Sequence, residues 1–177
     1  LPESALAAAR QSAAEKGIGT DTEPAWRFTL QQPSQMPVMR YADSDSLRKD
    51  ILEATLNIGR TGQWDNTELI WEILALRQRK STLLGKDCFA DVVTERRMVG
   101  SGHKALSFVE SLHDRIYQAF QSEIAELAEF RAQQTGEKKR PLEQWEEAYW
   151  AEKLRQARFD FDEEELRPWF SISRVIP

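Results

Sequence analysis

The sequence predicts a mainly α fold, an array of antiparallel helices with at most one or two short strands. Through most of the 177 residues, apolar side chains recur three or four positions apart, which is the spacing of one helix face. Only one segment alternates between apolar and polar residues, as a half-buried strand does. The eight glycines and seven prolines fall mostly between the periodic segments. A chain of this length with 41% hydrophobic residues can bury a core, and its composition excludes a disordered segment.

The first elements are a helix and the one predicted strand. Residues 4–16 are rich in alanine and predict a helix that ends at Gly17. Residues 26–31 alternate Trp, Phe and Leu with Arg, Thr and Gln, which predicts a strand. A buried strand must satisfy its backbone groups, and no other segment has equal strand character. We therefore expect the partner of this strand to lie outside the 177 residues.

Two further helical segments follow. Residues 37–41 predict a short helical turn, and Asp43 or Ser44 caps a helix that runs to about Ile58. The predicted apolar face of this helix consists of Leu47, Ile51, Ala54 and Ile58.

The next helix begins after Asp65 or Asn66 and ends at Gly85, and a shorter helix covers about residues 87–98. The apolar positions of the first of these helices recur at helical spacing, at Leu69, Ile70, Ile73, Leu76 and Leu83.

The clearest periodic signal predicts one long helix over about residues 103–134. At 1.5 Å per residue it would be on the order of 45–50 Å long, which suits the wall of a larger body better than a small domain. Its apolar stripe consists of Leu106, Val109, Leu112, Ile116, Phe120, Ile124 and Leu127. Pro141 begins a helix that reaches about Arg158, and Asp162 caps a last short helix that Pro168 helps to terminate.

Charge and cysteine content limit the classes of function. The net charge of −5 disfavours general nucleic-acid binding, and the cluster Lys138, Lys139 and Arg140 is interpreted as a solvated loop. The single cysteine, Cys88, excludes an internal disulfide framework and suits a reducing compartment, so a cytoplasmic location is expected. No apolar run approaches the roughly 20 residues of a membrane span.

No complete constellation for chemistry is visible. His103 and His113 are ten residues apart, whereas a zinc-binding helix needs two histidines at i and i+4, so we interpret both as surface or packing residues. Cys88 could act as a nucleophile only beside a base, and a structural role is favoured. The acidic run of Asp160, Asp162 and Glu163–165 lacks the spacing of a calcium loop and fits helix capping.

Three aromatic residues near the chain's end have two possible roles. Trp145 and Tyr149 are four residues apart and Trp150 follows directly, which favours helix-core positions. The alternative is that these rings line a cleft for peptide side chains.

Read from end to end, the sequence resembles the thimet oligopeptidase family of zinc metallopeptidases, within it the oligopeptidase A branch. Tryptophan stands at Trp150 and Trp169, where that family usually has tyrosine. The order and spacing of the shared segments carry the resemblance: Leu1 to Ser4 with the alanine-rich helix, residues 26–31, Pro33, 37–39, Tyr41 and Ala42, Leu47 and Arg48, 73–77, 83–85, Phe89 and Ala90, Met98, Trp145, 148–150, 152–159 and 166–170.

The resemblance implies a cytoplasmic zinc metallopeptidase (metalloendopeptidase) with a mostly helical body and a deep channel that admits short peptides. It leaves open whether the enzyme cuts peptides internally or removes dipeptides from the C-terminus. The family binds zinc through a His-Glu-x-x-His helix and a later glutamate, and no position of this sequence matches that motif. We therefore assign no catalytic and no metal-binding residue here, leave substrate-binding residues open, and expect zinc only in the full-length parent.

These considerations lead us to interpret residues 1–177, which begin at Leu1 rather than Met, as a single helical segment of a larger peptidase without a complete catalytic domain. On its own the chain is expected to be inactive, to bind no nucleic acid or membrane, and to self-associate through exposed apolar faces. The alternative is a stand-alone, non-catalytic helical module for protein interaction.

Overall fold

The computed structural model describes residues 1–20, 22–159 and 167–171. These residues form seven α-helices and two short 3₁₀ turns, at Gly62–Trp64 and Arg167–Phe170, and no β-strand occurs among them. The mainly α prediction and the long helix are therefore confirmed. The α-helices are α1 (Glu3–Ala14), α2 (Gln32–Tyr41), α3 (Asp45–Leu56), α4 (Thr67–Leu83), α5 (Phe89–Thr94), α6 (Gly102–Thr135) and α7 (Gln144–Phe159).

The chain divides into two compact units. Unit 1 contains residues 1–56 and the described residues from Ile124 onward, and unit 2 contains residues 57–123. Helix α6 therefore contributes its first two thirds to unit 2 and its end to unit 1.

Unit 1 is centred on α2, which packs against α1, α3 and α7, while α3 also packs against α7. The interior is small, and its apolar members are Ala9, Ala13, Val38, Met39, Ala42, Ala128 and Tyr149. Of the five buried polar or charged residues in the described part of the chain, four also lie in this unit, so its core combines a few apolar side chains with buried charge.

Helix α2 is longer than the predicted turn over residues 37–41. Pro33 lies in its first turn, where a missing N–H costs nothing because the first helical N–H groups have no partner within the helix. Pro37 lies inside the helix and removes one internal hydrogen bond, but Val38 and Met39 beside it are buried. Burial of these neighbours accounts for a helix where the two prolines suggest a loop.

The strand predicted over residues 26–31 does not form. The segment is a loop that crosses α1, held by a hydrogen bond from the Arg27 N–H to the Ala9 carbonyl oxygen (3.0 Å). Arg27 Nη1 also donates to Ser12 Oγ (2.9 Å). The strand is absent because no second strand lies among the described residues to complete a ladder.

The inward face of helix α3 overlaps only in part with the predicted one, since Leu47 and Ile51 are half buried as predicted. The helix ends at Leu56 rather than Ile58, and both Ala54 and Ile58 are exposed. The buried residue of this helix is Arg48. A charged residue occupies the interior here because its hydrogen bonds are met by other elements, as described below.

Unit 2 has little interior. Helices α4 and α5 pack together, but Leu69, Ile73, Leu76 and the other large apolar side chains of α4 are about half exposed or more. Helix α5 is shorter than the predicted residues 87–98.

Two features near the chain's end complete the comparison with the prediction. Helix α7 begins at Gln144 rather than Pro141. The predicted short helix capped by Asp162, and the acidic run around it, lie outside the described residues. Within the described part of the chain, no helix is both long enough and apolar enough to cross a membrane.

Candidate functional site

The densest arrangement of polar and aromatic side chains lies on one face of α7 in unit 1. Tyr149 donates its phenolic hydrogen to Asp43 Oδ1 (2.7 Å), and Lys153 Nζ lies 3.6 Å from the same oxygen. Burial, together with this bond to a carboxylate, raises the pKa of Tyr149 to about 12. The same bond lowers the pKa of Asp43. The phenol is therefore a fixed hydrogen-bond donor at neutral pH.

Arg48 of α3 connects this tyrosine to the rest of unit 1. Its guanidinium lies 4.2 Å from the centroid of the Tyr149 ring, a cation–π contact. It donates to the Ala42 carbonyl oxygen (2.5 Å), the Trp145 carbonyl oxygen (3.2 Å) and Asp45 Oδ1 (2.8 Å). Arg48 is only 2% exposed, and these contacts compensate for its burial.

A second cluster joins the end of α6 to the start of α7. Glu146 is buried and accepts hydrogen bonds from Arg131 Nε (3.2 Å) and from Arg140 Nη1 and Nη2 (2.7 and 2.8 Å). It also accepts the Glu143 N–H (2.9 Å), and Arg131 pairs in addition with Glu137. Burial by itself would raise the pKa of Glu146, but the bonds from Arg140, the Glu143 N–H and Arg131 leave that pKa below its usual value.

These clusters connect helices and do not assemble a reacting group. Each carboxylate in them accepts hydrogen bonds from a cation or a phenol, and the phenol of Tyr149 is held in its neutral form. These bonds lower the pKa of Asp43 and outweigh the effect of burial on the pKa of Glu146, so both carboxylates are weaker bases than a free side chain. The arrangement fixes α7 relative to α2, α3 and the end of α6.

The aromatic residues singled out in the sequence form part of this helix interface. Tyr149 is buried, and the Trp150 ring meets the rings of Tyr149 and Phe130 edge to face, with centroids 5.1 and 6.2 Å away. Trp145 Nε1 donates to the Asp45 carboxylate at 3.1 Å. This placement agrees with the interpretation as core positions, and a cleft for peptide side chains stays an untested alternative.

The two histidines lie far apart and at the surface. His103 and His113 are exposed, and ten residues on one helix correspond to about 15 Å along its axis. His113 Nδ1 lies 3.6 Å from Asp114 Oδ1. Among the described residues, no three His, Cys, Asp or Glu side chains come together as a metal-binding group, so the donor set does not fit zinc.

Cys88 and the start of α6 are both hydrogen-bonded to the carboxylate of Asp91. Cys88 Sγ donates to Asp91 Oδ2 (3.3 Å), and the Gly102 N–H donates to Asp91 Oδ1 (2.8 Å). The Gly102 bond, followed by the Cys88 bond, lowers the pKa of Asp91. These two bonds tie the residue before α5 to the start of α6, and this geometry supports a structural role for Cys88.

The basic cluster that follows α6 is largely neutralised within the chain. Lys139 Nζ lies 3.1 Å from Glu129 Oε2, and Arg140 binds Glu146 in a bidentate pair. This pairing agrees with the interpretation of Lys138, Lys139 and Arg140 as part of a loop.

Sequence reasoning missed Arg48, Arg131 and Glu146, the three charged residues that the helix interface depends on. One signal was available, since Arg48 lies next to Leu47 on the inward side of an amphipathic helix. The Trp145 carbonyl oxygen, which accepts a hydrogen bond from Arg48, is 97 positions away in the sequence. No local pattern predicts that pairing.

Comparison with known proteins places this helical array in a class of peptidases. The sequence profile of "Peptidase family M3" matches residues 38–177. The "Probable cytosolic oligopeptidase A" of Arabidopsis thaliana is 37% identical over 99% of this chain and 25% of its own length. The "Organellar oligopeptidase A, chloroplastic/mitochondrial" of the same plant is 35% identical over 99% of this chain and 22% of its own length.

The likeness extends to bacteria. The "Oligopeptidase A" of Escherichia coli (strain K12) is 32% identical over 99% of this chain and 26% of its own length. This chain thus belongs to Peptidase family M3. It spans about a quarter of the length of these curated relatives.

Proposed function

We propose that residues 1–177 are a helical scaffold segment of a zinc metallopeptidase that hydrolyses short peptides, and that the zinc site lies elsewhere in that enzyme. The observation that carries this proposal is the match itself. Relatives named oligopeptidase A align with 99% of this chain, and the aligned part is only about a quarter of their own length. The sequence contains no His-Glu-x-x-His, so the water-activating chemistry must come from the other three quarters.

The surface of unit 2 supports the same proposal. Leu106, Val109 and Ile116 on α6, and most of the apolar side chains of α4, are about half exposed or more. Monomeric soluble proteins seldom expose continuous apolar patches of this kind, because exposed apolar area costs roughly 25 cal/mol per Å². In a longer enzyme these faces would be covered by further helices of the body.

We place the enzyme in the cytosol. One relative is named as cytosolic, and the single cysteine suits a reducing compartment. Another relative is named as chloroplastic or mitochondrial, so fractionation of cells that express a tagged full-length protein is the direct test.

A peptidase assay tests the main proposal. The full-length protein that contains these residues is expected to cleave an internally quenched peptide of about ten residues. A zinc chelator should abolish cleavage, and added zinc should restore it. The purified 177-residue chain should cleave nothing under the same conditions. Chelator-sensitive turnover by the 177-residue chain would overturn the assignment as scaffold, and an inactive full-length protein would overturn the assignment as peptidase.

The exposed faces also favour a second function. A stand-alone interaction module would use an apolar helix face to bind a partner helix. The two functions differ in the gene: the scaffold requires a reading frame that encodes His-Glu-x-x-His beyond these residues, and the module does not.

A further inference from the structure

The loop that replaces the predicted strand is bonded on one side only. The N–H of Arg27 donates to the Ala9 carbonyl oxygen (3.0 Å), and the N–H of Thr29 donates to Ser34 Oγ (2.8 Å). Both bonds are directed to α1 and the start of α2. The bonded residues are two positions apart, as they are along one edge of a β-strand.

The residues between them have open backbone groups. Within the part of the chain that the structure describes, the N–H and C=O groups of Trp26, Phe28 and Leu30 make no hydrogen bond. In an extended chain, successive residues direct their backbone groups to opposite edges. From Trp26 to Leu30, where the chain bends before α2, open and bonded residues therefore alternate, as they do in a strand with one free edge.

The side chains of this segment suit a sheet. Trp26, Phe28 and Leu30 are aromatic or apolar and alternate with Arg27 and Thr29, which is the pattern of a half-buried strand. Phe28 and Leu30 are already half buried against the unit, whereas Trp26 is 47% exposed. A free edge with such side chains is a template for another strand.

We propose that residues 26–30, a loop in this structure, become an edge strand when an extended segment of the same polypeptide that lies outside residues 1–177 pairs with them. This inference rests on the proposed function, because it requires the longer protein. The length of chain outside the structure supports this occupant over a second copy or a bound peptide, since about three quarters of each relative has no counterpart here. A strand of the same polypeptide is also present at high effective concentration and loses less entropy on pairing than a separate molecule does.

The anchoring of the inner edge prepares the outer edge for pairing. Arg27 Nη1 donates to Ser12 Oγ (2.9 Å), and Gln31 leads directly into α2. Both ends of the segment are thus held, so that the register of a partner strand is limited to pairing with Trp26, Phe28 and Leu30.

Amide hydrogen exchange, measured residue by residue, tests the proposal. The full-length protein and the 177-residue chain are compared under the same conditions. In the full-length protein the amides of Trp26, Phe28 and Leu30 should exchange at least about tenfold more slowly than in the 177-residue chain. The amides of Arg27 and Thr29 are the internal control and should be protected in both.

Each alternative occupant predicts a different result. Protection in the 177-residue chain that rises with its concentration would assign the edge to a second copy. Protection in the full-length protein only after addition of a non-cleavable peptide would assign it to a peptide. Either result, or equal exchange of the three amides in both proteins, would overturn the proposal. A full-length protein that hydrolyses peptides but leaves these amides open would refute this inference alone, and the proposed function would stand.

Substitutions at one position separate the backbone from the side chain. Phe28→Pro removes a donor that makes no bond to any described residue of this chain, whereas Phe28→Ala keeps it. In the full-length protein Phe28→Pro should lower the melting temperature well below that of Phe28→Ala, and in the 177-residue chain the two variants should melt together. Equal melting temperatures of the two variants in the full-length protein would contradict pairing at Phe28.

Discussion

Units 1 and 2 contain similar amphipathic helices, but apolar side chains are buried in unit 1 and exposed in unit 2. In unit 1, α2 and α7 bury Val38 and Tyr149, and the charges of Arg48 and Glu146 are enclosed with them. In unit 2, α4 carries seven large apolar side chains, yet they remain about half exposed or more. The difference shows that helical periodicity specifies which face is apolar, and that partner elements decide whether that face is covered.

Helix α6 shows the same difference in exposure along a single helix, because it belongs to both units. Its apolar stripe is exposed at Leu106, Val109 and Phe120 in unit 2 and becomes partly buried from Ile124 onward in unit 1. The sequence pattern is continuous across this change. The change coincides with α7, whose Glu146, Trp150 and Arg158 contact the end of α6.

The largest effect is expected from Arg48→Met, which tests whether polar bonds hold unit 1 together. The substitution leaves the Ala42 and Trp145 carbonyl oxygens without a donor and removes the contact with the Tyr149 ring. We expect the free energy of unfolding to fall by about 3 kcal/mol, the typical loss when one member of a buried charged cluster is removed. The measurement is urea unfolding followed by circular dichroism.

The matched control is Lys49→Met on the same helix. Lys49 forms an exposed pair with Glu53 at 3.7 Å and a cation–π contact with the Trp145 ring at 5.2 Å, so a change of no more than about 1 kcal/mol is expected. Equal losses for the two variants would show that the Arg48 contacts add nothing to stability.

A pair of identical substitutions compares the two units directly. Val38 is fully buried in unit 1, and Val109 is 60% exposed in unit 2. Val38→Ala should reduce the free energy of unfolding by about 2 kcal/mol, because it removes two buried carbons and leaves a cavity, whereas Val109→Ala should change it by about 0.5 kcal/mol or less. Urea midpoints of the two variants give the result. A cost at Val109 as large as that at Val38 would mean that the unit 2 face is covered in solution.

Glu146→Gln tests the second cluster and its dependence on pH. The folded pKa of Glu146 lies below its ordinary value of 4.5. Its charge therefore stabilises the fold above that pH, and this stabilisation is lost as the pH falls through the folded pKa. At pH 7 we expect a loss of about 1.5 kcal/mol relative to the unsubstituted chain, with the difference shrinking below about pH 4.

Glu147→Gln is the control for this measurement, because Glu147 is the next residue on α7 and lies outside the ion-pair cluster. Urea unfolding of both variants at pH 7 and pH 3.5 makes the comparison. A Glu146→Gln deficit that is the same at both pH values would argue against a charged Glu146 in the fold.

The smallest effect is expected from Tyr149→Phe, which removes only the hydrogen bond to Asp43. The expected loss is about 1 kcal/mol. The pKa of Tyr149 is raised from 10.0 to about 12, so the contribution of its hydroxyl is complete below pH 10 and is lost as the pH rises through about 12. Absorbance at the tyrosinate band should show one late-titrating tyrosine that the variant lacks. A titration curve without a step near pH 12 that the variant loses would contradict the buried bond.

The sequence predicted the fold class and most of the helices because both depend on local spacing. Helix α6 was predicted within a residue at each end, and α1 and α4 were found close to their positions. The errors share one cause. The turn at residues 37–41 is part of a longer helix, the strand at 26–31 is a loop, and the inward face of α3 contains Arg48, and each difference depends on a neighbouring element.

By itself, the sequence determined a mainly α chain with the resemblance to oligopeptidases, because helical periodicity and the order of shared residues can be read along the chain. Only the tertiary structure decided which charged residues are buried and which apolar faces are not. Arg48 is enclosed because a carbonyl oxygen of Trp145 and the ring of Tyr149 reach it from the far end of the sequence. The face of α4 is open because only α5 packs on that helix within the described residues, and burial requires a partner surface that no local pattern supplies.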